Sequence, residues 1–135
     1  MIDIGPSTSA ADVARSYLAS FTSGDPDAVA AHVSAGFVND HASALGSGCV
    51  GRDEYRSRLP GFLASFPGLR YEVQSVTADE ASGTVAVEYR MTATSDGRPI
   101  DIRGVMVMTV DAGLITRRTD YWDALTFLRQ IDQTP

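Results

Sequence analysis

The chain has 135 residues, of which 44% are hydrophobic and 21% charged, and its formal net charge is −6, a balance that is ordinary for a globular protein. Its eleven basic residues are scattered along the sequence, which argues against nucleic acid and anionic membranes as partners, because both require a clustered basic face. We predict a cytoplasmic protein, since no apolar stretch approaches the roughly 20 residues that span a bilayer, no signal-peptide pattern precedes the first helix, and the single cysteine excludes an internal disulfide.

Three helices are predicted in the first half of a single domain that covers residues 1–135. Residues 1–8 are predicted to be a flexible extension, after which Ser9 precedes an apolar stripe at helical spacing, as a helix N-cap does. Asp25 followed by proline is typical of the start of a second, short helix. Pro60 predicts a kink or two abutting helices in the third. The predicted helices are ADVARSYLASF, PDAVAAHV, which stops near 34–36, and RDEYRSRL continuing through GFLASF.

The second half of the chain changes to the alternation of polar and apolar residues that predicts β-strands. Asp96-Gly97 is a strong hairpin signal, and Gly104 inside a strand predicts a bend or bulge. Asp123 is predicted to cap a C-terminal helix, ALTFLRQI. Helices followed by an antiparallel meander indicate the α+β class. The predicted strands are LRYEVQSVTAD, TVAVEYRMTATS, RPIDIRGVMVMTV and LITRRTDYW.

The last long strand, within RRTDYWD, carries an acidic residue at a position where a core would favour an aliphatic one. One parity of this strand contains Thr116, Arg118, Asp120 and Trp122. If that parity faces inward, a carboxylate is buried beside a tryptophan, which is costly unless the carboxylate has a partner. Two interpretations follow. Asp120 forms a structural salt bridge with Arg118 or Arg103, or it is a general acid/base that moves a proton beside a carbonyl group.

Four stretches of the sequence carry a family resemblance: FVNDH (37–41), VGRDEYRSRLPGFLASFPGLRYEV (50–73), SDGRPIDIRGVMVMTV (95–110) and GLITRRTDYWDALTFLRQ (113–130). With them, the chain resembles the SnoaL-like polyketide cyclase family of the nuclear-transport-factor-2-like, or ketosteroid-isomerase-like, superfamily. The resemblance implies a cone-shaped, curled, mixed β-sheet wrapped around the N-terminal helices (a cystatin-like roll), a short C-terminal helix, and a homodimer formed through the outer face of the sheet.

The resemblance also implies where an active site lies. In such proteins an aspartate on the last long strand reaches into the cavity, and the motif TDYWD puts Asp120 at that position. The early cavity position, just after the second helix, falls on Asn39 and His41. We predict Asp120 and His41 as catalytic residues: His41 would hydrogen-bond a substrate oxygen or share a proton with Asp120, and the alternative is an ordinary surface histidine. The residues predicted to contact the substrate are Asn39, Arg118, Tyr17, Trp122, Tyr89 and Met106.

Neither a metal nor a cofactor is predicted. His32 and His41 are nine residues apart, without a glutamate at helical spacing, which is unlike a zinc site. The sequence contains no phosphate loop, no GxGxxG motif and no nucleophile elbow. With the resemblance, we predict a small apolar organic molecule as the substrate.

These features predict a cofactor-independent cyclase or isomerase that acts on an apolar, carbonyl-bearing small molecule, such as a polyketide intermediate, by general acid/base catalysis with Asp120. One alternative is a non-catalytic protein of the same fold that binds a small molecule. Another is a cyclase that only holds its substrate in a reactive shape.

An epoxide hydrolase is a third alternative. For that activity the resemblance implies an Arg-x-Asp pair on the strand before the hairpin, where this chain has EYRMT. The apolar parity of that strand predicts that Glu88 and Arg90 face outward, so the residues that would activate water are missing.

Overall fold

The computed structural model describes residues 8–133, so the predicted flexible extension lies, except for Thr8, outside the described residues. Helices α1, α2, α3 and α4 comprise Ala10–Ser20, Pro26–Ala30, Arg52–Ser65 and Ala124–Gln130, and a short 3-10 helix, Phe21–Ser23, follows α1. Strands β1 to β6 comprise Val33–His41, Cys49–Val50, Arg70–Asp79, Thr84–Ser95, Arg98–Asp111 and Leu114–Trp122. The class is α+β, as the sequence predicts.

Within residues 8–133, six strands form one sheet in the order β2-β1-β6-β5-β4-β3. β1 and β6 run parallel, whereas all other neighbouring strands run antiparallel. The sheet curls around α1, which contacts β3, β4 and β5, and α3 lies against β1. The curled, mixed sheet implied by the resemblance is confirmed, and its concave side faces the helices.

The predicted helix N-caps are confirmed. The Ser9 side chain accepts a hydrogen bond from the amide of Asp12. In the same way Asp25 accepts from the amide of Asp27 in α2, and Asp123 accepts from the amides of Leu125 and Thr126 in α4. Each cap satisfies an amide that has no partner inside its helix.

Two helix boundaries differ from the prediction. α2 ends at Ala30 rather than near 34–36, because the chain enters β1 at Val33. α3 continues through Pro60 as one helix, so two abutting helices are excluded. Pro60 is exposed, and water can there satisfy the Arg56 carbonyl that loses its amide partner.

Strand β1 was not predicted from the alternation of residues. Turn-forming residues occupy much of it, in the segments SAG and ND, and its register shifts between Val33 and Val38. The predicted antiparallel meander is confirmed for β3 to β6. Beyond it, β1 adds a parallel neighbour to β6 and pairs on its other side with the short strand β2. Strand β1 contributes Asn39 and His41 to the site described below.

The predicted parity of β4 is confirmed. Val85, Val87, Tyr89 and Met91 are buried on the concave face. On the outer face, Ser75 donates a 2.6 Å hydrogen bond to Glu88, and Arg90 forms a 2.7 Å ion pair with Asp101. Glu88 and Arg90 thus lie outside the cavity, as expected, and are bound to surface partners. Neither belongs to an Arg-x-Asp pair in this structure.

The predicted bulge at Gly104 is wrong, whereas the predicted bend stays a prediction. Gly104 pairs regularly with Tyr89 and Trp122, and the register of β5 shifts further on, between Thr109 and Val110. Position 104 requires glycine because the ring of Tyr89 leaves no room for a side chain: a Cβ atom there would lie 2.6 Å from the ring carbon Cζ. Because of the shift, Ile115 rather than Thr116 is buried on β6, whereas Arg118 and Asp120 keep the predicted inward parity.

Candidate functional site

The concave face of the sheet and the helices enclose a cavity of about 450 Å³ that is partly open to solvent. Most of its lining side chains are apolar, and its ionisable groups include two from β6 and one from β1. A largely apolar cavity with a few convergent polar groups is the usual form of a small-molecule site. The main apolar lining residues are Phe21, Leu59, Phe62, Phe66, Tyr71, Met91, Ile102 and Phe127.

The parallel pairing of β1 with β6 brings four predicted residues together. Asn39 is the register partner of Arg118, and His41 is the register partner of Asp120. All four line the cavity. Their position in one site is therefore as expected, while their catalytic and binding roles stay predictions.

Asp120 is buried, with 4% of its surface exposed, and its carboxylate borders the cavity. The Tyr89 hydroxyl donates a 2.6 Å hydrogen bond to Oδ1 of Asp120. Burial, together with the charge of Asp120, raises the pKa of Tyr89 far above its usual range, so Tyr89 keeps its proton and acts as the donor. Among residues 8–133, no group donates to Oδ2. The alternative of a salt bridge from Asp120 to Arg118 or Arg103 is not formed in the described part of the chain.

The guanidinium of Arg118 is also buried, with 4% exposed, and it carries its charge at any physiological pH. Nη1 donates to the Tyr17 hydroxyl, and Nη2 donates to Oδ1 of Asn39 at 2.6 Å. Within residues 8–133, Nε has no partner and no carboxylate forms an ion pair with Arg118. A buried cation whose hydrogen-bond partners are all neutral is costly. Negative charge that develops in the cavity close to Arg118 would reduce this cost, and Arg118 would in turn stabilise that charge.

His41 is half-buried between two donors, so it is not the freely exposed loop histidine of the alternative interpretation. Trp122 Nε1 lies 3.4 Å from Nδ1 of His41, and Nη2 of Arg118 lies 3.4 Å from Nε2. Burial and the charge of Arg118 lower the pKa of His41, and Asp120 and Asp40 offset part of this effect. The imidazole is therefore neutral at neutral pH.

This lowered pKa predicts a pH dependence of stability. Below the ordinary histidine pKa of about 6.5, unfolded chains take up a proton at position 41 that the folded state resists. The free energy of unfolding should therefore decrease as pH falls from about 7.5 through 6. Urea denaturation across this range measures it, and His41→Phe should show a smaller decrease than the wild type. Equal pH slopes for the two proteins would contradict the prediction.

Two residues predicted to contact the substrate lie elsewhere. Tyr17 and Met106 are fully buried and do not line the cavity. Tyr17 lies behind Arg118 and exchanges a short hydrogen bond with the hydroxyl of Tyr55. Met106 is the register partner of Asp120 across β5 and β6 and belongs to the core. The structure corrects both predictions. The helical stripe of α1 and the alternation of β5 give the inward face of each element but not the depth of its side chains, and these two side chains support the site from behind.

Several residues that shape the site were missed by the sequence analysis. Tyr55 lines the cavity, and its hydroxyl is hydrogen-bonded to the buried hydroxyl of Tyr17. Gly46 and Gly48 lie in the loop after β1, where a Cβ at Gly48 would be 2.5 Å from the carbonyl oxygen of Asn39, and one at Gly46 would be 2.9 Å from Cγ of His41. The run GSG in this loop was the available signal, because closely spaced glycines often mark close approach of backbone.

The described residues offer no obvious site for a metal. Within 8–133, no three His, Cys, Asp or Glu side chains are grouped so that they could hold an ion. The same part of the chain contains no helix that is both long and apolar enough to cross a membrane.

Comparison with known proteins adds to this geometry. The family model of the SnoaL-like domain matches residues 14–118. The chain belongs to the SnoaL-like domain family. No curated protein is significantly similar to it in sequence.

Solved structures share the fold of this SnoaL-like domain at low sequence identity. A hypothetical protein from Catenulispora acidiphila with a ketosteroid isomerase-like fold, in complex with trimethylamine, is 17% identical, with a TM-score of 0.82 over 92% of this chain and 94% of its own. A candidate polyketide cyclase from Xanthomonas campestris is 23% identical, with a TM-score of 0.75 over 90% and 96%. An LEH-like epoxide hydrolase from Mycobacterium tuberculosis is 20% identical, with a TM-score of 0.76 over 91% and 92%. At these identities the likeness establishes the fold alone.

Proposed function

We propose that this SnoaL-like domain is a cofactor-independent cyclase or isomerase that moves protons on an apolar, carbonyl-bearing small molecule, with Asp120 as its general acid/base. The observation that carries the proposal is the setting of the Asp120 carboxylate. Tyr89 holds one of its oxygens at 2.6 Å, and the carboxylate borders an apolar cavity. A carboxylate that is fixed in orientation and has an oxygen to spare can take a proton from a bound ligand.

The charges of the site suit an enolate intermediate. Asp120 would remove a proton from the carbon next to the substrate carbonyl, and the C–H electron pair would move into the enolate. The negative charge then passes from Asp120 to the enolate oxygen, while the charge of Arg118 is unchanged. The net charge of the buried site is therefore constant, and Arg118, Asn39 and His41 are near enough to one another to stabilise the oxygen by preorganised contacts.

Two reactions can follow from the same enolate. Return of the proton from Asp120 to a different carbon isomerises the substrate. Attack of the enolate carbon on a second carbonyl of the same molecule closes a ring, and Asp120 then gives its proton to the new alkoxide. The family of the chain and its likeness to a candidate polyketide cyclase favour a polyketide-type substrate, and a cavity of about 450 Å³ suits a compact polycyclic molecule.

The alternatives have weaker support. Epoxide hydrolysis is suggested by the LEH-like neighbour, but Glu88 and Arg90, on the strand concerned, are bound to partners on the outer face. A protein that only binds a small apolar ligand would need the same cavity. It would not need a carboxylate that is oriented by a buried tyrosine.

Proton exchange into a simple ketone tests the proposal without the natural substrate. We expect the wild-type protein to accelerate the exchange of the α-hydrogens of 2-tetralone in D₂O, followed by ¹H NMR, with a rate that saturates as the ketone concentration increases. Asp101→Asn is the matched control, because Asp101 is an exposed aspartate paired with Arg90 on the outer face, and it should behave as the wild type. If 2-tetralone binds and exchanges only at the buffer rate, the ligand-binding alternative is correct instead.

A further inference from the structure

His41 lies between two groups that can only donate hydrogen bonds. The indole N–H of Trp122 is directed at Nδ1, and Nη2 of Arg118 lies beside Nε2, each at 3.4 Å. Neither an indole nor a guanidinium can accept. A neutral imidazole has one acceptor nitrogen and one N–H, so it can satisfy only one of these two donors.

The other contacts of the two donors decide which one His41 accepts. Nη2 of Arg118 already donates to Oδ1 of Asn39 at 2.6 Å, a much shorter contact than the one to His41. The indole N–H of Trp122 has no other acceptor among residues 8–133. Nη2 of Arg118 has two N–H groups and keeps its hydrogen bond to Asn39 in either tautomer, whereas the indole nitrogen would lose its one partner. We therefore expect Nδ1 to accept from the indole, with the proton of the imidazole on Nε2.

This tautomer leaves two N–H groups close together with no acceptor between them. Nε2–H of His41 and Nη2–H of Arg118 are 3.4 Å apart at their nitrogens, and both residues line the cavity. The repulsion between these donors is relieved by one oxygen atom that accepts from both. A carbonyl oxygen meets this requirement, and an enolate oxygen meets it better because its negative charge strengthens both hydrogen bonds.

We propose that Trp122 positions the His41 imidazole as the Nε2–H tautomer, so that His41 and Arg118 form a two-donor site for a single carbonyl or enolate oxygen of the ligand. His41 is then a hydrogen-bond donor to the substrate and not a base that shares a proton with Asp120. Trp122 is a positioning residue that acts through His41. The identity of the bound oxygen rests on the proposed function, whereas the tautomer of His41 is independent of it.

The chain contains its own reference for this tautomer, because its second histidine has the opposite surroundings. Nδ1 of His32 lies 2.9 Å from the carbonyl oxygen of Ala28, which can only accept, and Nε2 lies 2.8 Å from the hydroxyl of Ser16. His32 is therefore expected as the Nδ1–H tautomer. Only two histidines contribute to the spectrum of this chain, so their signals are readily distinguished.

The first experiment is a long-range ¹H–¹⁵N correlation spectrum of the ¹⁵N-labelled wild-type protein at about pH 7.5, where a histidine with a lowered pKa is neutral. We expect a protonated Nε2 at His41 and a protonated Nδ1 at His32. In Trp122→Phe, which lacks the indole N–H, His41 should lose its single tautomer and His32 should keep its own. A protonated Nδ1 at His41 of the wild type overturns the proposal, whatever the variant does.

The second experiment tests the two-donor site by binding of 2-tetralone in H₂O, where proton exchange causes no net chemical change and affinity is measured at equilibrium. We expect the ketone to shift the Nε2 and Hε2 signals of His41 and to leave those of His32 unchanged. His41→Phe should bind it about tenfold more weakly, as expected for one lost hydrogen bond. His41→Gln, which supplies an N–H near the position of Nε2, should recover part of the loss.

The outcomes separate this inference from the proposed function. If His41→Phe and the wild type bind 2-tetralone equally well, the two-donor site is wrong, even if proton exchange is catalysed. If His41→Phe weakens binding, His41→Gln recovers it and no exchange is catalysed, the two-donor site stands and the catalytic role of Asp120 fails.

Discussion

We expect Asp120→Asn to slow the exchange of 2-tetralone by about 100- to 10,000-fold, the contribution usual for a positioned general acid/base. Asparagine has the shape of aspartate, and its carbonyl oxygen can still accept the hydrogen bond from Tyr89. It cannot take up a proton from carbon. The loss should therefore appear in kcat, whereas KM should change little because the apolar walls that hold the ketone are unaltered.

The measurement is a comparison of saturation curves for the wild type, Asp120→Asn and Asp101→Asn. Asp101→Asn makes the same chemical change in an exposed carboxylate on the outer face, and it should retain wild-type kcat. Thermal denaturation of all three proteins establishes that the loss is not caused by unfolding. If Asp120→Asn retains wild-type kcat, then Asp120 is not the acid/base.

The second large effect is expected at Gly104. A Cβ at this position would lie 2.6 Å from the carbonyl oxygen of Tyr121 and 2.6 Å from Cζ of Tyr89. Backbone and a buried aromatic ring must both move to admit it, so Gly104→Ala should lower the free energy of unfolding by about 1–3 kcal/mol. Displacement of Tyr89 also breaks its hydrogen bond to Asp120, and exchange of 2-tetralone should slow in parallel.

Urea denaturation of Gly104→Ala beside Gly36→Ala measures the first effect. Gly36 is also a strand glycine, but nothing lies within 4 Å of a Cβ built there, so its replacement should change stability by no more than about 0.5 kcal/mol. Tyr89→Phe should lower the free energy of unfolding of the wild type. In the Gly104→Ala protein the same change should lower it less, or even raise it, because the tyrosine hydroxyl is one of the atoms that clash with the new Cβ. If both glycine variants lose the same free energy of unfolding, the ring of Tyr89 does not exclude a side chain at Gly104.

The sequence predicts the regular parts of this fold well, because their physical causes are local. N-caps at Ser9, Asp25 and Asp123 and the alternation of buried residues in β4 depend on neighbours a few positions away. Strand β1 escaped prediction because its pairing with β6 is a long-range contact that its own turn-forming residues do not reveal. Its place in the site came only from family resemblance.

The polar residues of the site were predicted more successfully than their contacts. A buried carboxylate and guanidinium on one parity of β6 indicated a special function for Asp120 and Arg118, and both line the cavity. One of the two interpretations of the sequence was that Asp120 pairs with Arg118 or Arg103. Instead Asp120 binds Tyr89, and Arg118 binds Tyr17 and Asn39. These partners are contributed by three other elements, so no pattern within β6 could identify them.

The parallel contact between β1 and β6 also has a consequence for how the protein folds. β3, β4, β5 and β6 are joined by short turns, whereas Asn39 and Arg118, which meet across the parallel contact, are 79 residues apart in the chain. Closing so long a loop costs more entropy than closing a hairpin, and pairings of this kind form slowly. We therefore expect the meander to form first, with Arg118 and Asp120 on β6 but without their partners Asn39 and His41 on β1. The groups that would recognise a ligand come together only in the last step, so a chain that has not completed its fold cannot bind one.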